Sequence, residues 1–524
     1  MKRFPIRTAV LALVGTLATG SLVACADANS GPWSPGAGKL FARSEQACTD
    51  SDEASRTLSA EGTIEDAVVV TPDPYASDVA CRTLMYGGTA ADAAAAAQFT
   101  LGLTEPQSSG PGGGAVAVYY DAATEDLRTW NASVPAPRKL DSRNRTGVPK
   151  TATLMHTMQE KYGSLEFEEV LTPVADLGDE GFQVSPRFAG ALDRRMDVIT
   201  DLPWPEVSPT ELPEPGDTVT NPEYAEYLRT LEIPDRIRSE AALCVDYRDR
   251  EVCGSSSPGT GMMVVGEALG ILDNIDPDDM GGDPSHVVTE AQRLALANGN
   301  TWMQDPKVDP ELAKAYVDTL VTDPGHLKRQ AERVDPDATL GHIEPNQINR
   351  TDGTYLRNRE EGTSQITVRD GEGSIASITT TLSQHFGSGE MQDGYFLNNS
   401  LRNFSISSTE TNQRAAGVRP KTSMTPLVVF DDGEPTLALG SAGGSQIPSY
   451  LIKTIVGMLD QGLSARDAVD AENYGAIGRD ETFTEVDGGG STSSLSVISV
   501  AGGTVYGEAD ERSDGSARSA VLTP

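Results

Sequence analysis

The chain has 524 residues, with 77 acidic against 41 basic side chains and a formal net charge of −36. A chain this long can close a large core without metal or disulfide staples, and its size allows two to four domains or one large one. The charge argues against a nucleic-acid partner, because no basic patch is segregated to hold phosphate, and it disfavours adhesion to anionic lipid.

Lys2, Arg3 and Arg7 precede an apolar run from Ala9 to Val14 that resumes from Leu17 to Val23. The run is too short to span a bilayer and reads as a signal peptide over residues 1–24. Leu22-Val23-Ala24-Cys25 resembles a lipobox. It predicts lipidation of Cys25 and an extracytoplasmic, membrane-anchored location with the lipid as the one membrane contact. An ordinary signal peptide with a chance cysteine is the alternative. Loss of the three basic residues takes the charge from −36 to −39. Residues 25–58 read as the lipidated cysteine and a tether, Pro/Gly/Ser-rich over 26–38.

Cys48, Cys81, Cys244 and Cys253 remain, and an even number in an exported chain suggests two disulfides. Cys48–Cys81 with Cys244–Cys253 is the favoured one of three connectivities, and four buried thiols are the alternative. No Cys/His cluster has zinc spacing, and the five histidines are scattered without an HExxH pair. Neither a metal, a cofactor nor a Ser-His-Asp triad is expected.

Along the chain, Tyr75 to Leu103 reads as helix, Ala-rich at its centre and broken at Gly87-Gly88. Residues 115–120 and 127–131 read as strands. Residues 165–330 are mostly amphipathic helix with Pro-rich joints. Segments 165–182, 262–273, 287–297 and 311–320 carry apolar residues at i, i+3, i+4 spacing, and 201–216 is a Pro-rich loop. The Asp/Asn-rich stretch 273–283 lacks the calcium-loop glycine and terminal glutamate, and reads as a solvated loop. After residue 362 short period-2 runs predict strands at 365–368, 374–380, 425–430, 435–440, 484–486, 494–500 and 504–507, interrupted by helices at 447–461 and 464–471. Helices followed by strands suggest layered α/β packing.

Three glycine- and hydroxyl-rich segments stand out: Glu105-Pro-Gln-Ser-Ser-Gly-Pro-Gly-Gly-Gly114; Gly362-Thr363-Ser364-Gln365, with strands running on to Thr379-Thr380-Thr381; and Lys421-Thr-Ser-Met-Thr-Pro426, followed by Gly440-Ser-Ala-Gly-Gly-Ser445. Singly, each is an ordinary turn or strand end. In this order, with Gly87-Gly-Thr-Ala-Ala-Asp92 ahead of them, they resemble the γ-glutamyltransferase family of N-terminal-nucleophile hydrolases. Its motifs are a GGNAxDAAVAA helix, an EPQSSGxGGG loop, a Thr-Thr/Ser-His segment, an SSMxP turn and a GSPGGS loop. The similarity runs from about residue 60 to the C-terminus.

That resemblance implies a four-layer αββα sandwich, an α+β fold in which residues 59–362 and 363–524 become two interlocked chains of one domain. It implies self-cleavage between Gly362 and Thr363. Thr363 would then carry both the nucleophilic hydroxyl and an α-amine with a pKa near 8, close enough to neutral to act as general base. Thr381 would hydrogen-bond and orient Thr363. Gly443 and Gly444 would supply an oxyanion hole, whose donors are worth roughly 3–4 kcal/mol. The acyl group would pass to water or to an amine, and the partners would be a small amide substrate and the chain's own second half.

The positions that grip substrate depart from the family. The carboxylate-binding arginine is replaced by Ser133, with Arg128, Arg138 and Arg402 as candidate substitutes. Ser400 and Asn403 stand where an amine-binding pair is usual, and Ser383 stands where an asparagine is usual. Thr422 and Ser423 nearly keep the hydroxyl pair. Two lost charge-assisted contacts, roughly 1.5–3 kcal/mol each, weaken binding of a free γ-glutamyl head. The expected activity is an amide hydrolase or acyltransferase that passes a γ-glutamyl or related acyl group from glutathione-type substrates, with altered acyl specificity. The alternatives are a non-glutamyl acylase and a non-catalytic binding lipoprotein.

Overall fold

The computed structural model describes residues 48, 56–141, 143–256, 258–281, 283–348, 353, 355–357, 360–405, 411–485 and 492–522. The signal segment, Cys25 and most of the tether lie outside the described residues.

Helix Pro74–Met85 starts on Asp73, whose carboxylate accepts from the Ala76 N–H. Helix Ala90–Thr104 starts on a capping box between Thr89 and Asp92. Gly87, at φ +97°, makes the break between them. Every residue of Ala90–Thr104 is buried. Its alanines let a helix sit between a sheet and neighbouring helices, where larger side chains would hold them apart.

Two seven-stranded antiparallel sheets form the middle of the molecule. One runs, in spatial order, Ser516–Ala520, Ala67–Thr71, Gly362–Arg369, Ile375–Ser383, Gly114–Asp121, Asp126–Ala132 and Glu240–Ala241. The other runs Ser59–Thr63, Thr504–Ala509, Ser496–Ala501, Glu434–Gly440, Leu427–Asp431, Arg250–Gly254 and Leu243–Tyr247. Strand alternation sorts the core. Ala67 and Val69 face helices Pro74–Met85 and Ala90–Thr104, while Val68 and Val70 meet Ile498 and Val505 between the sheets. A second helical core, from Thr260–Asp273, Ser285–Trp302 and Ile447–Leu459, covers the outer face of the other sheet. The layers are therefore helix, sheet, sheet, helix.

Sequence and structure differ in several places, and strands Ser59–Thr63, Ala67–Thr71 and Ser516–Ala520 are not among those expected from the sequence. The tail of the 25–58 tether is anchored: Cys48 is bonded to Cys81, and the Thr57 and Leu58 carbonyls accept from Ala517 and Ala509. The stretch 165–330 holds a hairpin, Leu243–Tyr247 with Arg250–Gly254, closed across its strands by Cys244–Cys253. Its turn residues Arg248 and Asp249 both have positive φ without a glycine, so the usual hairpin signal is missing. The stretch 273–283 contains a 3₁₀ turn at Pro277–Met280.

Candidate active site

Strand Gly362–Arg369 is central in its sheet, between Ala67–Thr71 and Ile375–Ser383. Its register pairs Thr363 with Thr381, Gln365 with Thr379, and Thr367 with Ser377. With period-2 alternation these residues share one face, toward the other sheet. At these positions the face is polar. Gln365 donates to Thr367 and Ser377 and accepts from Thr379, and the Thr367 and Ser377 hydroxyls donate to the carbonyls of Ser496 and Leu439 across the gap. Thr363 and Thr381 sit where this polar seam ends.

The pairing slips by one residue between Gly362 and Thr363, a bulge at the peptide bond expected to break. The Thr363 hydroxyl donates to Thr381 Oγ1 at 3.2 Å, and Thr381 in turn donates a short bond to the Gly362 carbonyl. The Ser383 N–H fixes Thr381 Oγ1 from a third side at 2.8 Å. Ser383 achieves this at φ +80°, a conformation costly for a residue other than Gly or Asn. The Thr363 hydroxyl, the Thr381 hydroxyl and the Gly362 carbonyl thus form one hydrogen-bonded chain, all buried.

On the opposite face Ser364 donates to Glu105 at 2.7 Å, just past the end of helix Ala90–Thr104. Burial pushes the Glu105 carboxyl up to about 8 despite Arg187 at 3.4 Å. The Gly-rich loop after Glu105 is seated on the strand ends: a Cβ on Gly113 would lie 2.3 Å from the Thr381 carbonyl oxygen. The Leu382 and Phe386 N–H groups bond back to Ser108 and Gln107.

Residues 360–362 lie over the site in the uncut chain. A Cβ on Gly444 would stand 1.9 Å from the Glu360 carbonyl oxygen, so Gly444 faces the backbone two residues upstream of the Gly362 carbonyl. The Glu360 carboxylate is 6% exposed. It accepts from Ser423 N at 3.0 Å and Asn403 Nδ2 at 3.1 Å, with the Thr422 hydroxyl also bonded to it. Burial raises its carboxyl to about 7 against these donors. The structure therefore gathers Thr422, Ser423 and Asn403 around one carboxylate. Ser400 is buried in the same 3₁₀ turn, its N–H on Asn398.

Ser133 is turned onto Asn131 by its N–H at 3.1 Å and by a short hydroxyl contact. Arg128 is paired with Asp126, and Arg138 is exposed. Arg402 donates to Gln384 at 2.6 Å, next to Ser383. Arg419, not singled out from sequence, reaches the Asn131 carbonyl but is clasped by Asp305. Glu360 was also missed, and Glu105 and Lys421 were noted only as the first residues of their motifs, without a role. Lys421 is fully buried and donates to the carbonyls of Asn300 and Leu356, and burial brings its ammonium down to about 7. In sequence, charged residues in polar segments read as solvated, and only tertiary packing shows otherwise.

Cavities of about 580 and 430 Å3 lie elsewhere, the first beside Arg250, Tyr506 and Arg466, the second beside Ile275 and Lys328. Among the described residues, the one His/Cys/Asp/Glu group close enough for a shared ion is Cys244, Glu251 and Cys253, and its two thiols form a disulfide.

The gamma-glutamyltranspeptidase family model matches residues 76–234 and 236–487. The glutathione hydrolase proenzyme of Bacillus subtilis (strain 168) is 24% identical over 477 residues, 78% of this chain and 80% of that protein. The capsule biosynthesis protein CapD proenzyme of Bacillus anthracis is 28% identical over 402 residues, 72% of each. The crystal structure of cephalosporin acylase from Bacillus halodurans superposes with a TM-score of 0.75 at 20% identity, covering 90% of this chain and 98% of that one. The fold is thus that of the N-terminal-nucleophile hydrolases, and the chain belongs to the gamma-glutamyltranspeptidase family.

Proposed function

We propose that this family member is a self-processing amide hydrolase or acyltransferase whose nucleophile is Thr363. The observation that carries the reading is the chain of contacts from Thr363 Oγ1 through Thr381 Oγ1 to the Gly362 carbonyl. Thr363 Oγ1 adds to the Gly362 carbonyl carbon, and the C–N bond breaks as the Thr363 nitrogen takes up the proton. An ester joins the two halves. Water then splits it, leaving a Gly362 carboxylate and a Thr363 with free hydroxyl and free amine. In turnover that amine takes the hydroxyl proton, and the acyl group on Thr363 passes to water or an amine.

The acyl donor is a γ-glutamyl group of the glutathione type or a related carboxyl-bearing amide. The names of the Bacillus subtilis relative and of the family support the first. The second, a donor without an α-amine, is favoured by Asn403. In the position expected to hold an ammonium, its amide nitrogen donates to a carboxylate. Lipidation at Cys25 would place the enzyme outside the cytoplasm on the cell membrane.

The test is a denaturing gel with N-terminal sequencing of wild type and Thr363→Ala. Wild type should give two chains, the smaller beginning at Thr363, and the variant one. A wild type that stays whole under conditions where it turns over amides sinks the reading. Assay of γ-glutamyl-p-nitroanilide beside glutaryl-p-nitroanilide then separates the two donors.

A further inference from the structure

Two glutamates precede the cleavage site, and the fold treats them oppositely: Glu361 is exposed, while Glu360 is 6% exposed. Taking a carboxylate out of water among uncharged donors is costly. A segment with no use for Glu360 would leave it in solvent. Here the Ser423 N–H, the Asn403 amide and the Thr422 hydroxyl converge on it. All three belong to segments remote in sequence. The backbone beside Glu360 is fixed as well, its carbonyl against Gly444 and the Glu361 N–H on the Ser383 carbonyl at 2.6 Å. Gly362 follows directly, its carbonyl held by Thr381. The span from the anchored carboxylate to the scissile carbonyl is two extended residues, about 7 Å, so fixing one end fixes the other.

We propose that Glu360 is an internal carboxylate ligand: in the uncut chain it occupies the anion-accepting subsite of Ser423, Thr422 and Asn403, and so registers the Gly362 carbonyl on Thr363 and Thr381. After the cut the same side chain competes with carboxylate-bearing acyl donors until the tail leaves. Glu360 touches none of the reacting atoms and acts as a positioning residue. The registering role rests on the self-processing reading above, whereas occupancy of the subsite does not.

The experiment has two arms. In uncut Thr363→Ala protein, glutarate binding is measured by isothermal titration with and without Glu360→Ala. The double variant should bind glutarate at least tenfold tighter, and equal affinities overturn the occupancy. In protein with Thr363 intact, Glu360→Ala should cut at least tenfold more slowly than wild type and stay slow when glutarate is added, because glutarate fills the subsite without being joined to Gly362. Recovery on glutarate would mean that the side chain only fills the site, and overturns the registering role. Glu360→Gln, which keeps the shape, should cut about tenfold more slowly with no loss of melting temperature. It decides the registering role if Glu360→Ala does not fold. Cutting at the wild-type rate by the Glu360 variants overturns that role. A wild type that never cuts, alongside a tenfold difference in glutarate affinity, defeats the self-processing reading and leaves the occupancy standing.

Discussion

The Thr363 and Thr381 hydroxyls lie 3.2 Å apart, and the proton of Thr381 is directed at the Gly362 carbonyl. One side chain thus bridges the hydroxyl proposed to attack and the carbonyl it would attack. Removing a donor of this kind typically costs about 100-fold in rate. Thr381→Ala should therefore slow conversion to two chains by about that factor. Thr381→Ser, which keeps the hydroxyl, should stay within a few-fold of wild type. The rate of band conversion on a denaturing gel checks both, and a Thr381→Ala rate equal to wild type would remove Thr381 from the mechanism.

Gly444 combines φ +58° with a Cβ position 1.9 Å from the Glu360 carbonyl oxygen. Alanine there meets a left-handed conformation, roughly 1–2 kcal/mol for an L residue, and a backbone atom that yields only if the tail moves. Gly444→Ala should slow self-cleavage more than tenfold. Turnover by whatever fraction does process should suffer less, since the tail no longer lies over the loop. Single-turnover cleavage and steady-state amide hydrolysis, measured on the same preparation, give the two numbers.

Much of this was legible in the chain. The Ala-run helix, its glycine break, and the strands around Thr363 and Thr381 follow from capping residues and period-2 patterning. The contact between Thr363 and Thr381, the proposed catalytic pair, is foreshadowed because both threonines sit in motifs whose order is specific. The Leu243–Gly254 hairpin escaped because its turn at Arg248-Asp249 lacks glycine. Glu360 and Lys421 escaped for a different reason. Their burial is set by segments 43 to 121 residues away, and no local pattern encodes it. Ser133 was noticed as a substitution, but that Arg419, bonded to the Asn131 carbonyl two residues before it, is already committed to Asp305 is decided by tertiary packing.

Glu360 gives the uncut chain a pH signature. Its carboxyl is raised to about 7 by burial, above the ordinary value near 4.5. Folding therefore favours the protonated form. The stability this contributes is full below about pH 4.5 and is lost as pH rises through 7, a loss of about 3 kcal/mol at most for a shift of this size. Glu105, raised to about 8, acts in the same direction and extends the window upward. Lys421, lowered to about 7, acts oppositely and only above that pH. Melting of Thr363→Ala should thus fall from pH 5 to pH 8. Thr363→Ala/Glu360→Gln should fall less, gaining on its parent as pH rises. A gap that stays constant across the range contradicts the assignment to Glu360.

Among Arg128, Arg138 and Arg402, Arg402 is the one bonded to the segment that follows Thr381, through Gln384 at 2.6 Å. It is exposed and therefore free to swing onto an arriving anion. A charge-assisted contact of roughly 1.5–3 kcal/mol corresponds to a ten- to hundred-fold effect on affinity. Arg402→Gln should raise KM for glutaryl-p-nitroanilide about tenfold or more with kcat nearly unchanged, because the contact is made equally in ground and transition states. An unchanged KM assigns the anion contact to the neutral donors around Ser423 alone.

The second helical core contains a fully buried carboxylate, Glu267, on helix Thr260–Asp273. Asn298 donates to it at 2.6 Å, the Tyr316 hydroxyl at 3.2 Å, and His326 Nε2 lies at 3.1 Å. Burial raises its carboxyl, and the three partners oppose that shift. Each partner comes from a different helix, so the carboxylate ties four segments at one point. Glu267→Leu would leave all three polar groups without their acceptor in an apolar core, at roughly 1–3 kcal/mol each where no water replaces it. Its cost should reach about 3–5 kcal/mol, as for a broken buried pair. Glu267→Gln keeps an acceptor oxygen and should cost less than half of that. Urea unfolding of the uncut Thr363→Ala protein carrying each change orders the two variants. Equal midpoints would mean that shape at position 267, rather than its hydrogen bonds, holds these helices together.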